Sequence, residues 1–259
     1  MNQILKTIHH RRSIRAFKSK AIEQGTIDQI LEATLRSPTA GNMMLYSIIQ
    51  VTDPELKKKL VTTCDNQPFI AKAPLVLLFL ADYQRWFDYF LVSGVQTYCQ
   101  SNNLPLRRPA EGDLMLACCD ALIAAQTSVI AAESLGVGSC YIGDIMENYE
   151  QHKQLFNLPQ YTFPITMLCF GYPTESAASR KLTSRLNRED IVHKNRYSLP
   201  TESRLRHIFA DKTTEKFIGD ATNAGQHYYI KKFAADYSIE MTRSVQSAIR
   251  SWVAEIKDE

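Results

Sequence analysis

The densest group of chemistry-bearing side chains is Arg11-Arg12-Ser13-Ile14-Arg15, three guanidinium groups and a hydroxyl within five residues. Arginine forks grip phosphate oxygens through paired, charge-assisted hydrogen bonds, so this pattern suits one small anion; the alternative is a solvated basic turn. Residues 1–20 also hold Lys6, Lys18 and Lys20 and no acidic residue, whereas the whole 259-residue chain carries a net charge of only +3. A general nucleic-acid binder would be more basic, so nucleic acid is not an expected partner. The second candidate is Gly136 to Gly143, GVGSCYIG. A dinucleotide fingerprint needs its glycines between a strand and the following helix. Here they follow a helix signal and enter a strand signal, which leaves a loop around Gly143 whose amides could face a ligand, or ordinary turn glycines.

Protein nucleophiles and metal ligands are poorly represented. The chain has no GxSxG, no HExxH and no P-loop lysine. His9, His10, His152, His193, His207 and His227 do not cluster, and surface or capping roles are expected of them. Cys64, Cys99, Cys118, Cys119, Cys140 and Cys169 lack metal-ligand spacing and read as buried, reduced thiols. An anion site and backbone loops without catalytic side chains favour a chain that lends its binding groups to an organic cofactor. The start, MNQILKTIHHRR, lacks the apolar run of a signal peptide, so a cytoplasmic protein is expected.

These groups need a scaffold. Leu114 to Leu135 is apolar on nearly every face, the pattern of a helix buried all round, and spans roughly 33 Å. Gln126, Thr127 and Ser128 interrupt it, so it reads as a core helix and no membrane is expected. Gly136 should end it, with a strand over Val137 to Ile142. Further strands are expected at Tyr46 to Thr52, Leu75 to Leu80 and Ile165 to Gly171. Helices are expected at residues 2–9, Ile27 to Arg36, after the Asp53-Pro54 cap, at Tyr149 to Leu158 and at Ser238 to Lys257. Residues 82–111 read as an aromatic helix followed by a mobile surface loop over a site. Strands separated by helices indicate a sheet covered by helices.

Four motifs in this order, RRSIRAF, SPTAGN, AESLGVGSCYIGD, and FGYP followed by SRLNREDIVHKNRY, resemble the nitroreductase family. The likeness is closest to its NADPH-dependent, oxygen-insensitive nitroreductase and flavin reductase branch, and covers residues 5 to about 197. It implies an α+β fold with a mixed, mainly antiparallel sheet flanked by helices. Residues 1–200 would form an FMN-binding domain, and residues 201–259 a helical C-terminal extension packed on it. It further implies a homodimer with FMN at each subunit interface and NAD(P)H as electron donor. By the same resemblance Arg11, Arg12 and Ser13 match the phosphate-binding start, and Arg15 the position that reaches towards the flavin. Pro38, Thr39, Ala40, Gly41 and Asn42 match a loop lining the flavin from the second subunit. Gln67 matches a residue hydrogen-bonded to the pyrimidine edge. Tyr141, Ile142, Gly143 and Asp144 match the segment whose amides face N5 and O4, and Arg185 a late residue that closes on the phosphate.

The chain departs from that pattern at Thr183, where the branch usually has a lysine that Lys181 could replace. It departs again at Met43-Met44-Leu45, where Gln-Pro often follows, and at Asp144, where a second glycine is usual. The activity implied is ping-pong transfer of two electrons from NAD(P)H to a small-molecule acceptor, a nitroaromatic, quinone or flavin. A flavin-fragmenting or dehalogenating member, and a flavin-binding protein without turnover, are the alternatives.

Overall fold

The computed structural model describes residues 1–210 and 217–254. Four antiparallel strands, β1 (Tyr46–Gln50), β2 (Leu75–Asp82), β3 (Gly138–Ile142) and β4 (Thr162–Gly171), form one sheet in the order β1-β2-β4-β3. With the surrounding helices this is an α+β fold. The uninterrupted apolar run of β2 follows from its central place: every one of its residues is buried, because both faces of the sheet are covered.

On one face Leu75, Leu77, Phe79, Leu168 and Phe170 pack against α7 (Glu111–Ser134) and against Ile27 and Ile30 of α2 (Gln24–Leu35). On the other, Val76, Leu78, Leu80, Met167 and Cys169 meet Leu60 of α3 (Pro54–Thr63) and Ile70 of the short α4 (Phe69–Lys72). Asp53 caps α3 as its sequence suggests, its carboxylate accepting from Glu55 N at 2.8 Å.

Contacts divide the chain into two units, residues 1–180 with 240 onward, and residues 181–239. The first includes α1 (Gln3–His10), α5 (Gln84–Val92), α6 (Val95–Ser101) and α8 (Tyr149–Leu155), and the Glu240-onward part of the Asp236–Val253 helix. There Trp252 is buried edge-on against Tyr161, 5.7 Å between ring centres, and Ser244 accepts from Tyr149 N at 2.8 Å. The second unit holds the helices Glu202–Ile208 and Ala224–Tyr228. The expected helix end at Lys257 lies outside the described residues.

Two expectations need correction. The 82–111 segment holds not one helix but two, α5 and α6, separated at Gly94, whose φ of +75° breaks the first, and the expected irregular stretch is confined to 104–110. And α7 is not buried all round. Its small residues Ala121, Ala124, Ala125 and Ala132 face the sheet, while Met115 (65 % exposed), Leu116, Leu122 and Ile123 point away from it. Small side chains let the helix approach the strands closely and leave the larger apolar ones on the outer face.

Residues 11–17 follow α1 and lie across the edge of the sheet: Ile14 N donates to Ser139 O at 2.8 Å, Ser13 bridges Ser139 in parallel, and Phe17 bridges Pro173. Two cross-strand glycines make room for this segment. A Cβ on Gly138 would come 2.6 Å from Ile14 Cγ1, and one on its partner Gly171 would come 2.6 Å from Phe17 Cδ1 and 2.8 Å from Pro74 Cδ. Gly171→Ala should therefore destabilise the protein by about 1–3 kcal/mol in chemical denaturation. Gly25→Ala, in a helix with nothing within 4 Å of the new methyl, should be neutral or stabilising.

Candidate functional site

The pinned N-terminal segment presents its arginines in a fixed order. Ile14 is buried, and the alternation of an extended chain turns Ser13 and Arg15 to the opposite side. Arg12 Nη1 donates to Ala178 O at 2.6 Å and Arg180 O at 2.5 Å, which ties this segment to the chain beyond β4. Arg15 lies over the Phe69 ring, 5.9 Å from its centre. Arg11 and Arg12 both act on Glu133 of α7; burial nevertheless raises the Glu133 carboxyl to about 7, and its Oε1 has no partner among the described residues. A cavity of about 200 Å³ is lined there by Arg12, Ile14, Glu133, Gly138 and Ala178.

Gln67 reaches the same neighbourhood because Asp65 and Asn66 adopt left-handed conformations (φ +55° and +50°) after α3. Its Nε2 donates to Cys64 O at 3.1 Å and to Asp144 Oδ2 at 2.6 Å. Gly143 is exposed, a Cβ there would meet nothing within 4 Å, and its N–H has no hydrogen-bond partner among the described residues. Ile142 is 1 % exposed and contributes only backbone to this surface. Tyr141 donates to Gln126 Oε1 at 3.1 Å, and burial raises its phenol to about 12. Arg15, Phe69, Gln67 and Asp144 are thus linked around β3 and the α3–α4 turn, beside Arg11 to Ser13.

The Pro38–Asn42 loop is built elsewhere. Asp120 of α7, 3 % exposed, accepts from the Thr39 hydroxyl, from Ala40 N at 3.0 Å and from Leu45 N at 3.1 Å. Thr39 Oγ1 accepts in turn from Met44 N at 2.8 Å, while Gly41 and Asn42 take left-handed conformations at the tip. Trp86 of α5 braces the loop by donating to Met43 O at 2.5 Å. Asp120 and Glu133 are 13 residues apart on one helix, hence roughly 20 Å. No described hydrogen bond or ion pair joins this loop to the arginine segment. Arg185 belongs to the second unit, where its Nη1 donates to the Thr183 hydroxyl at 2.5 Å and to Ser184 O at 3.3 Å.

Several residues escaped the sequence reading. His152 is fully buried, not a surface or capping group: Nδ1 lies 2.9 Å from Ile145 O and Nε2 2.8 Å from the Thr63 hydroxyl, and burial lowers its pKa. That pairing suits the neutral ring, donating to the carbonyl and accepting from the hydroxyl. His227 of the second unit is also buried and accepts from Ile218 N at 3.1 Å. Cys64, Cys118, Cys140 and Cys169 are buried as expected, but Cys119 is exposed and Cys99 half-buried. Cys119 shares the outer face of α7 with Met115 and Leu122, the face misread as core. Glu147 is 4 % exposed, and its Oε1 has no partner among the described residues. Among those residues no three His, Cys, Asp or Glu side chains are placed to hold a metal ion.

This helix-covered antiparallel sheet has counterparts among solved structures. The Bacillus megaterium protein NfrA2 superposes with a TM-score of 0.78 at 27 % identity, covering 100 % of both chains. A Bacillus subtilis protein named as an NAD(P)H FMN reductase is 31 % identical over 233 residues, 86 % of each chain. A Salmonella typhimurium oxygen-insensitive NADPH nitroreductase is 28 % identical over 223 residues, again 86 % of each. The model of the Nitroreductase family matches residues 8–172, and the chain belongs to that family.

Burial, and next the Asp144 carboxylate beside it, raise Glu147 from 4.5 to about 8. The folded pKa lies above the unfolded one, so the stabilising contribution is complete below 4.5 and is lost as pH rises through about 8. Glu147→Gln should therefore match the wild type in stability near pH 4.5 and exceed it above pH 8. The difference in Tm-derived stability at the alkaline end should be on the order of 1–2 kcal/mol.

Proposed function

We propose that this protein is an FMN-dependent oxidoreductase that passes two electrons from NAD(P)H to a nitroaromatic, quinone or flavin acceptor in alternating half-reactions. The observation that carries this reading is the convergence of Arg15, Phe69, Gln67 and the free Gly143 amide beside Arg11, Arg12 and Ser13. These residues fit the cofactor on their own chemistry. Arginines and a hydroxyl suit a phosphate carrying close to two negative charges. An unpaired N–H on an exposed residue with nothing within 4 Å of its Cβ position suits the approach of a flat ring. The names of the FMN reductase relatives support the same cofactor and donor.

When bound, FMN supplies reversible two-electron chemistry, with hydride arriving from the nicotinamide and electrons leaving to the acceptor. The protein holds and orients. Arg11, Arg12 and Ser13 would anchor the phosphate, Gln67 the pyrimidine edge, and the Gly143–Asp144 backbone the reactive edge. Arg15, steadied on Phe69, places positive charge where electron density accumulates.

The protein works as a homodimer in this proposal. The Pro38–Asn42 loop and the arginine segment lie roughly 20 Å apart along one α7, too far to line the same ring from a single chain. The outer face of α7, with Met115, Leu116, Leu122 and Ile123, continues onto Ile4, Leu5 and Ile8 of α1, all more than 40 % exposed. A second copy would cover that surface and bring its own loop.

Purified protein should be yellow, and its absorption band should bleach anaerobically on adding NADPH or NADH and return with a quinone. Colour that neither nucleotide bleaches would reject the reductase. Arg12→Ala should weaken FMN binding roughly ten- to hundredfold in fluorescence titration, the loss expected for charge-assisted hydrogen bonds. Leu122→Glu combined with Ile123→Glu should give monomers by sedimentation that no longer retain FMN.

A further inference from the structure

Asp144 follows Gly143 at the end of β3, and the structure gives its side chain a definite contact. The Gln67 amide faces two groups that only accept: Cys64 O at 3.1 Å and the Asp144 carboxylate at 2.6 Å, both from Nε2. Turning the amide over would set Oε1 against both acceptors, so its orientation is fixed. Oε1 is left without a partner among the described residues. Behind Asp144 sits Glu147, buried, with an unpaired Oε1; burial, and next the Asp144 carboxylate, raise its carboxyl to about 8. Asp65 and Glu240 complete this acidic surround, and Glu240 is tied to Arg243 at 2.8 Å.

We infer that Asp144 is a positioning residue that locks the Gln67 amide with Nε2 inward and Oε1 outward, so that Gln67 meets the flavin as an acceptor for the ring's N3–H and offers no donor to N1 or O2. The inference rests on FMN being the cofactor. The pyrimidine edge of a flavin carries one donor, N3–H, between carbonyl acceptors, and its reduced form gathers negative charge at N1. An amide that only accepts there recognises the imide without stabilising that charge, and the nearby carboxylate opposes it. Asp144 therefore biases the bound cofactor towards the oxidised state, making its reduced form a stronger donor.

Two measurements on the full-length protein test this. In the wild type, N3-methyl-FMN, which has no N3–H, should bind at least tenfold more weakly than FMN. Equal affinities would overturn the inference. Asp144→Asn removes the charge and keeps the shape, and Asp144→Gly frees one N–H of Gln67. Both should raise the midpoint potential, measured by equilibration with reference dyes, by about 30 mV, a tenfold change in the equilibrium for a two-electron couple. Unchanged potentials in both variants would also overturn it, while leaving the FMN assignment standing. Failure of the wild type to take up FMN would reject that assignment and this inference together, and the colour of the protein distinguishes the two cases.

Discussion

The close approach of a chain segment to a pair of glycines governs much of what this protein presents to its surroundings. Gly138 and Gly171 face each other across β3 and β4, and Ile14 and Phe17 occupy the space their missing side chains leave. Ile14 and Phe17 are anchors spaced three residues apart, and Ser13 and Arg15 alternate with the buried Ile14. A basic stretch that in isolation would sample many conformations is thereby held as an ordered row of donors, with its entropy already lost in folding. Arg12 adds a second tie by holding the carbonyls of Ala178 and Arg180. The arginines owe their placement to two methyl groups that are absent.

The long helix does the complementary work. Its alanine side lies on the sheet, and along its length it carries Asp120, which gathers the Thr39–Leu45 backbone, and Glu133, which stands next to Arg11 and Arg12. Burying a carboxylate such as Asp120 is tolerable only because several donors converge on it. Glu133 has fewer, and its elevated pKa is the physical result. One rigid element thus sets the spacing between two patches of surface built from distant parts of the chain.

What could be read from the sequence follows the range of the interaction involved. The continuous apolar run of β2, the Asp53-Pro54 start of α3 and the glycine end of α7, where Gly136 has φ +74°, are local signals, and each is realised in the fold. The family resemblance rested on short motifs, and these lie in or beside the elements expected of them. The outer face of α7 is not legible in this way, because hydropathy records that a residue avoids water, not whether a strand or another chain covers it. Asp120 and Thr39 are 81 residues apart, and Gln67 and Asp144 are 77 apart, so neither pairing leaves a trace in local pattern. His152 looked like an isolated polar residue on a short helix; its burial depends on Thr63 and Ile145, which only the fold brings to it.

The separation of the two patches along α7 has a genetic corollary. If paired copies exchange their 38–42 loops, a lesion in that loop and a lesion at Arg12 damage different halves of each composite site. Two alleles, each inactive alone, would then assemble into mixed dimers in which one of the two sites draws only on undamaged parts. Partial activity restored between mutant copies of a single gene would be a direct outcome of two patches held roughly 20 Å apart on one helix, too far for one chain to complete its own site.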